Sequence, residues 1–272
     1  MLADIILKLA SDYQALQEGC ESFIPANEDL ELPHKHISAS RTKRERFFDV
    51  NLWHDVPLTS NGTPIIYPTN YVPDRVANFM ERKNIQEPQN YCLEMFVNDH
   101  EFARLWKAFD RMLPELMRFQ AIMGIDVSNY RDVPQKISGA LDTLGKLLTA
   151  KLQRKGMTVI PCVSWRTNQS YEESFEGIPS NSVLAVSNNG ILSDELSRYY
   201  FVEGVHALKK MRTPTVLIVV GAEMDELKDI VNIRYYQGYS QKYHKGGALW
   251  AVEAIICKKV VLQRRITMSL EP

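Results

Sequence analysis

At 272 residues the chain is long enough for one large domain, or one domain with an elaborate arm, and 45% hydrophobic content supplies a real core. The 32 basic and 33 acidic residues leave a net charge of −1, so no global basic excess draws the chain to nucleic acid, although a local patch stays open. The four cysteines, Cys20, Cys92, Cys162 and Cys257, contain no C-x-x-C pair, which argues against a zinc ribbon or a thioredoxin-like site.

The chain starts MLADIILKLASDYQALQEG, with Asp4 early, no basic leader region and no small-residue cleavage site. It reads as an amphipathic helix rather than a signal peptide. No apolar run approaches the roughly 18 residues of a membrane span, so a soluble, cytoplasmic protein is expected. Residues 1–90 then form an irregular arm. Prolines recur at Pro25, Pro33, Pro57, Pro64, Pro68 and Pro73, and proline breaks helices and removes ladder donors. Phe47, Phe48, Trp53, Tyr67 and Tyr71 need somewhere to pack, so the arm is expected to lie on the following domain or on a second copy, the latter giving a homo-oligomer. Within it, RTKRERFF sets Arg41, Lys43, Arg44 and Arg46 beside two phenylalanines. A solvated charged face is the plain reading; contact with a phosphate backbone or an acidic partner is the sharper one. His34 and His36 stand as H-x-H without a carboxylate at fixed spacing, so no metal is expected.

From residue 91 the pattern becomes regular. YCLEMFV is strand-like, and Phe102, Leu105, Trp106 and Phe109 follow at helical spacing. FQAIMGI is a second strand. PQKISGALDTLGKLLTAKLQRKG is a long amphipathic helix with proline near its start and Gly156 past its end. MTVIPCVSW is a third strand, SYEESFEGI a short helix and SVLAVS a fourth strand. LSRYYFVEGVHALKKM is a helix, TVLIVVG a fifth strand, and EMDELKDI a helix before NIRYY. Strands alternating with helices predict an α/β fold with parallel pairing through right-handed crossovers. A (β/α) barrel, whole, incomplete or distorted, and an open sheet both fit; the near-regular order favours the barrel. The parallel domain spans 91–235, and 236–272 is a basic segment expected to pack on it.

In parallel α/β folds ligands sit at the carboxyl ends of the strands. There the sequence places Asn98 and Asp99, then Asp126 and Ser128, then Ser164, Trp165 and Arg166, then Asn188 and Asn189, then Gly221 and Glu223. Asp126 is the candidate acid–base carboxylate, Trp165 a stacking wall, Arg166 an anion contact, and Asn188 and Asn189 polar ligands; Glu176 is a further candidate. Each has a plain alternative. Asp99 and Asp126 would cap the helices that follow, Trp165 would be a core aromatic, the two asparagines before Gly190 would form a tight turn, and Glu176 would be an ordinary helix or surface residue. No G-x-G-x-x-G, phosphate-loop or G-x-S-x-G motif is present, so no cofactor is expected.

The pieces FVNDHEFARLW, IMGIDVSNYRDVPQ, LQRKGMTVIPCVSW, SFEGIPSNSVLAVSNNG and TVLIVVG, in this order, make residues from about 91 to 235 resemble a bacterial and phage family called domain of unknown function 4417. The resemblance implies a bacterial cytoplasm and often a phage or mobile element. It implies no catalytic residue. SNNG stands where that family's pattern expects a Ser-Thr-x-Gly turn, which leaves the role of Asn188 and Asn189 open. Three functions follow: a phage or mobile-element protein binding nucleic acid or a host protein, an enzyme acting on a polar or phosphorylated ligand at the strand ends, and an assembly protein that swaps its arm. The first ranks highest because no catalytic constellation is complete. A pair of carboxylates in the pocket would favour the second.

Overall fold

The structure is a computed structural model and describes Trp53 and residues 55–230, 232–239 and 242. The expected first helix, His34, His36, the basic cluster Arg41, Lys43, Arg44 and Arg46, and the tail after 242 lie outside the described residues.

Among the described residues seven strands succeed one another: β1 (Val76–Asn78), β2 (Cys92–Glu94), β3 (Ala121–Met123), β4 (Val159–Ile160), β5 (Val183–Ser187), β6 (Val216–Val220) and β7 (Ile233–Tyr236). Their order in space is their order in sequence, and every ladder is parallel. The ladder breaks once, after β4. Pro161 has no N–H to give there, but its carbonyl accepts from Ala185 N at 2.9 Å, and Val163 N reaches Ala185 O at 2.9 Å. A parallel bridge between Cys162 and Ala185 thus carries the wall from β4 to β5.

The helices lie between strands in the chain: α1 (Ala103–Leu116), α2 (Gln135–Arg154), α3 (Tyr171–Phe175) and α4 (Glu195–Arg212). In α1 the buried Leu105, Phe109, Met112 and Leu116 recur at helical spacing. Asp194 caps α4, accepting from Ser197 N at 3.2 Å, and Lys209, Lys210 and Arg212 crowd its negative end. EMDELKDI forms a 3-10 turn, Asp225–Leu227, rather than a helix.

Alternation along the strands divides the core. In β5, Val183 and Ala185 join an inner cluster with Cys92, Ala121, Met123, Ile160, Cys162, Ile218 and Val220. Leu184 and Val186 face outward onto α3 and α4, and Leu93 and Ile122 face outward onto α1 and α2. One side of five strands shares a single interior, so the sheet curls as in a barrel. It does not close completely: among the described residues no ladder joins β7 to β1. Instead the Tyr236 hydroxyl donates to Pro73 O across the seam, and Lys242 Nζ reaches Val76 O at 3.4 Å. The fold is an incomplete parallel β/α barrel.

The first strand, β1, was expected to be part of the arm; pairing with β2 makes it a wall strand. The described part of the arm before it, Trp53 and residues 55–75, is packed on the barrel. Thr69 O accepts from Val183 N at 2.8 Å and Tyr71 hydroxyl donates to Gln120 at 2.8 Å, both at the starts of strands. Tyr71 and Val72 also pack on the inner cluster. Residues 66–75 therefore lie over the amino end of the barrel, opposite the carboxyl ends of the strands, which form its mouth among the described residues. No helix among the described residues is long and apolar enough to cross a membrane.

Candidate functional site

Two carboxylates from adjacent strands define the mouth. Cys92 faces inward and Leu93 outward, so the pleat turns Glu94 inward at the end of β2. Its neighbour across the ladder is Asn78, the end of β1. Asn78 Nδ2 donates to Glu94 Oε1 at 2.5 Å, and Phe96 N donates to Oε2 at 2.7 Å. Glu94 is only 1% exposed. Burial pushes its carboxyl up to about 7 against the pull of these hydrogen bonds and the Lys242 charge. Asp126 follows β3. It keeps some surface toward solvent but is otherwise enclosed. Burial pushes it up to about 7 as well, the Ser164 hydrogen bond pulls it down, and the charges of Asp142 and Asp99 push it further up. Both carboxylates bear on the same buried thiol, Cys162, which burial and then the charges of Asp126, Cys92 and Glu94 raise far above its usual range.

A polar network lies beside Asp126. Asn129 Nδ2 donates to Ser164 Oγ at 2.7 Å and Ser138 Oγ donates to Asn129 Oδ1 at 2.5 Å. Asp99 Oδ1 accepts from Ser128 N at 2.9 Å, tying the turn after β2 to the turn after β3. Behind it, Lys146 is fully occupied by Asp142 at 2.7 Å, Glu173 O at 3.1 Å and Ser174 O at 2.9 Å. Such a lysine is structural rather than a free nucleophile. Asp126 does not cap a helix, since α2 starts after Pro134.

The other expected site residues disperse. Trp165 faces the helix layer, not the mouth. Its Nε1 donates to Tyr200 O at 2.9 Å and its ring stacks on Phe201 at 5.7 Å and meets Phe175 edge-on. Its parity decides this: Cys162 is inward and Val163 outward, so Ser164 takes the inner face and Trp165 the outer. Arg166 is half-buried, donating to Val133 O at 3.1 Å, and its charge reaches Asp142. Asn188 is fully buried and staples two strand ends, donating to Ala222 O at 2.7 Å and accepting from Ala222 N at 3.0 Å. Asn189 is half-buried against Gly238, where a Cβ would stand 2.5 Å from its Oδ1. It adjoins a depression lined by Gly221, Glu223, Tyr236 and Gln237 at the ends of β6 and β7. Glu176 serves the arm: Thr59, Asn61 and Thr63 all donate to its carboxylate, at 2.6, 3.0 and 3.0 Å. Glu94 and Asn78 escaped the sequence reading. The available signal was a lone acid in YCLEMFV, two residues after an inward cysteine. Among the described residues, no group of three or more His, Cys, Asp or Glu side chains could hold a metal ion.

Fold and mouth together define a parallel β/α barrel protein, left open at one seam, with two burial-shifted carboxylates at its carboxyl end. The family described as domain of unknown function (DUF4417) matches residues 52–237, and the chain belongs to that family. It is similar to the Gene 1 protein of Mycobacterium phage D29, 27% identical over 66% of this chain and 68% of the relative. It is likewise similar to the Gene 1 protein of Mycobacterium phage L5, 26% identical over 67% of this chain and 81% of the relative. The domain is thus one carried by phage proteins. No solved structure matches the chain.

Proposed function

We propose that this chain is an acid–base enzyme acting on a polar ligand at the barrel mouth, with Asp126 as its proton-transferring group and Glu94 as a second, deeper carboxylate. The observation that supports the reading is the placement of two carboxylates on adjacent strand ends, facing one interior, with burial holding both near neutral pH. A carboxyl group held near neutral pH can both take up and return a proton, which is what acid–base catalysis requires. Asp126 has the solvent-facing surface and would meet the ligand; Glu94 lies deeper. Asp99 and Asp142 add negative charge around Asp126. That field favours a neutral or cationic ligand group, or an anionic one arriving with its own divalent cation.

Nucleic acid or host-protein contact through the arm is a second reading. It is supported by the sequence cluster Arg41, Lys43, Arg44 and Arg46 beside Phe47 and Phe48 and by the phage relatives. One experiment separates the two. The full-length chain is incubated, with and without Mg²⁺, with single- and double-stranded DNA, RNA, nucleotides and neutral sugars, and products are followed by chromatography; gel shifts are run on the same nucleic acids. Turnover abolished by Asp126→Asn supports the enzyme. Turnover that survives Asp126→Asn sinks the role given to that residue. Retarded nucleic acid without turnover, lost when the four basic residues become alanine, supports the second reading instead.

A further inference from the structure

The chain between β3 and α2, residues 124–134, runs along the rim of the mouth and past the end of β4. Its first half is anchored. Val127 packs in the core among residues of α1 and α2. Ser128 N donates to Asp99 Oδ1 at 2.9 Å, and the Asn129 amide lies between Ser164 Oγ at 2.7 Å and Ser138 Oγ at 2.5 Å. The second half is held differently. Tyr130, Arg131, Asp132 and Pro134 are exposed, and among the described residues none from 130 to 134 packs in a hydrophobic cluster. Two polar contacts tie this half to its neighbours. Val133 O accepts from Arg166 Nη1, after β4, at 3.1 Å, and the Arg131 guanidinium pairs with the Asp194 carboxylate, after β5. Asp194 also caps α4 through Ser197 N, which keeps its carboxylate in place whether or not Arg131 is bound.

We propose that residues 130–134 form a strap, latched by the Arg131–Asp194 ion pair, that opens and closes over the rim of the mouth beside Asp126. Its meaning for a ligand rests on the reading of Asp126 as the group that meets one; the strap itself does not. A segment without apolar packing opens at small cost. The latch adds little to hold it, since its two side chains are 33% and 49% exposed and water screens the pair. Both ends of the strap are fixed. Asn129 is held by two serines, and Pro134 O accepts from Ile137 N and Ser138 N at 3.1 Å each, in the first turn of α2. Motion is thereby confined to the few residues between, which is how a loop gates a site without disturbing the scaffold. Arg131 and Asp194 act on the gate and not on the reacting atoms.

The test uses two rates in the full-length chain, both read by mass spectrometry. Carbodiimide coupling of an amine to Asp126 reports access to the mouth, and chymotrypsin cleavage after Tyr130 reports the strap. Each follows the open population when closing is fast. Arg131→Gln and Asp194→Asn are each expected to raise both rates about two- to fivefold, the asparagine keeping the cap on α4. The two changes move the local charge in opposite directions, so a shared rise reports opening and not the field. The double variant should match the single ones, because both remove the same pair. Should a variant not fold, about 0.5 M NaCl on the wild type screens the latch and should also speed cleavage after Tyr130. Unchanged rates in both folded variants would overturn the strap. Asp126 coupling that rises in one variant and falls in the other would overturn it too, since charge alone then accounts for the change. Faster cleavage with unchanged coupling would overturn the gate and leave a surface loop. Neither readout needs turnover, so an inactive protein in which both rates rise removes the enzyme reading and keeps the strap.

Discussion

The Asn78 amide donates to the Glu94 carboxylate at 2.5 Å between paired positions of β1 and β2, with both side chains out of solvent. The same asparagine accepts from Met80 N at 2.8 Å, while Glu81 takes the Asn78 backbone N–H at 2.9 Å, closing a capping box on a 3-10 turn. One residue therefore ends a strand, starts a turn and holds a buried acid. Asn78→Ala should lose about 2–3 kcal/mol near pH 8, where Glu94 is ionised and left short of a donor. The loss should be smaller at pH 5, where Glu94 is protonated. Urea unfolding at the two pH values measures the difference; equal losses would mean that only the cap matters.

Stability should fall as pH rises across the neutral range. Glu94 and Asp126 both have folded values near 7 against ordinary values of 4.5 and 3.8. The native state thus holds more protons than the unfolded chain between about pH 4 and 7. Their contribution is full below the unfolded values and is lost as pH climbs through the folded ones. Glu94 alone should account for at most about 1.4 kcal/mol per pH unit in that window. Glu94→Gln and Asp126→Asn should each flatten the slope, and Asp126→Asn should melt no lower than wild type at pH 8. A steeper slope in either variant contradicts this.

The arm latch runs the other way with pH. Three donors hold the Glu176 carboxyl below its usual range, Thr59 foremost. The latch is therefore present above the unfolded value of 4.5 and lost as pH falls through the lower folded one. Glu176→Ala should free residues 55–66, raising their amide exchange and proteolysis, while the Asp126 titration stays in place. Unchanged exchange in that segment would show that Gly177 and its neighbours hold the arm without the carboxylate. Gly177 itself has φ +74° and a Pro64 carbonyl 2.2 Å from where a Cβ would stand, so Gly177→Ala should be the more damaging change.

Trp165 is half-buried and packs on the outer core cluster rather than lining the mouth. Trp165→Ala should cost about 3–5 kcal/mol, and Gly204→Ala should also destabilise, since its Cβ would stand 1.9 Å from Trp165 Nε1. Thermal melts of the two variants test the placement. A Trp165→Ala protein as stable as wild type would put the indole back at the mouth.

Five of the seven strands among the described residues were legible in the sequence because parallel strands covered on both sides are continuous apolar runs. Chain direction alone then sent Asp126 to the mouth. Glycine and proline at the ends of α2 marked its limits for reasons equally local. The remainder depended on which face each side chain took. β1 is three residues, VAN, with nothing strand-like until β2 pairs with it. Trp165 and Ser164 are neighbours in sequence, yet the pleat sends one to the helices and the other to the inner face, where it meets Asn129. Glu94 became a site residue only because the sheet curls and makes one face an interior, where burial rather than any neighbour in sequence raises its carboxyl. Composition and periodicity specify local geometry; desolvation and cross-strand hydrogen bonds, which decide the chemistry of a carboxylate, exist only once distant segments meet.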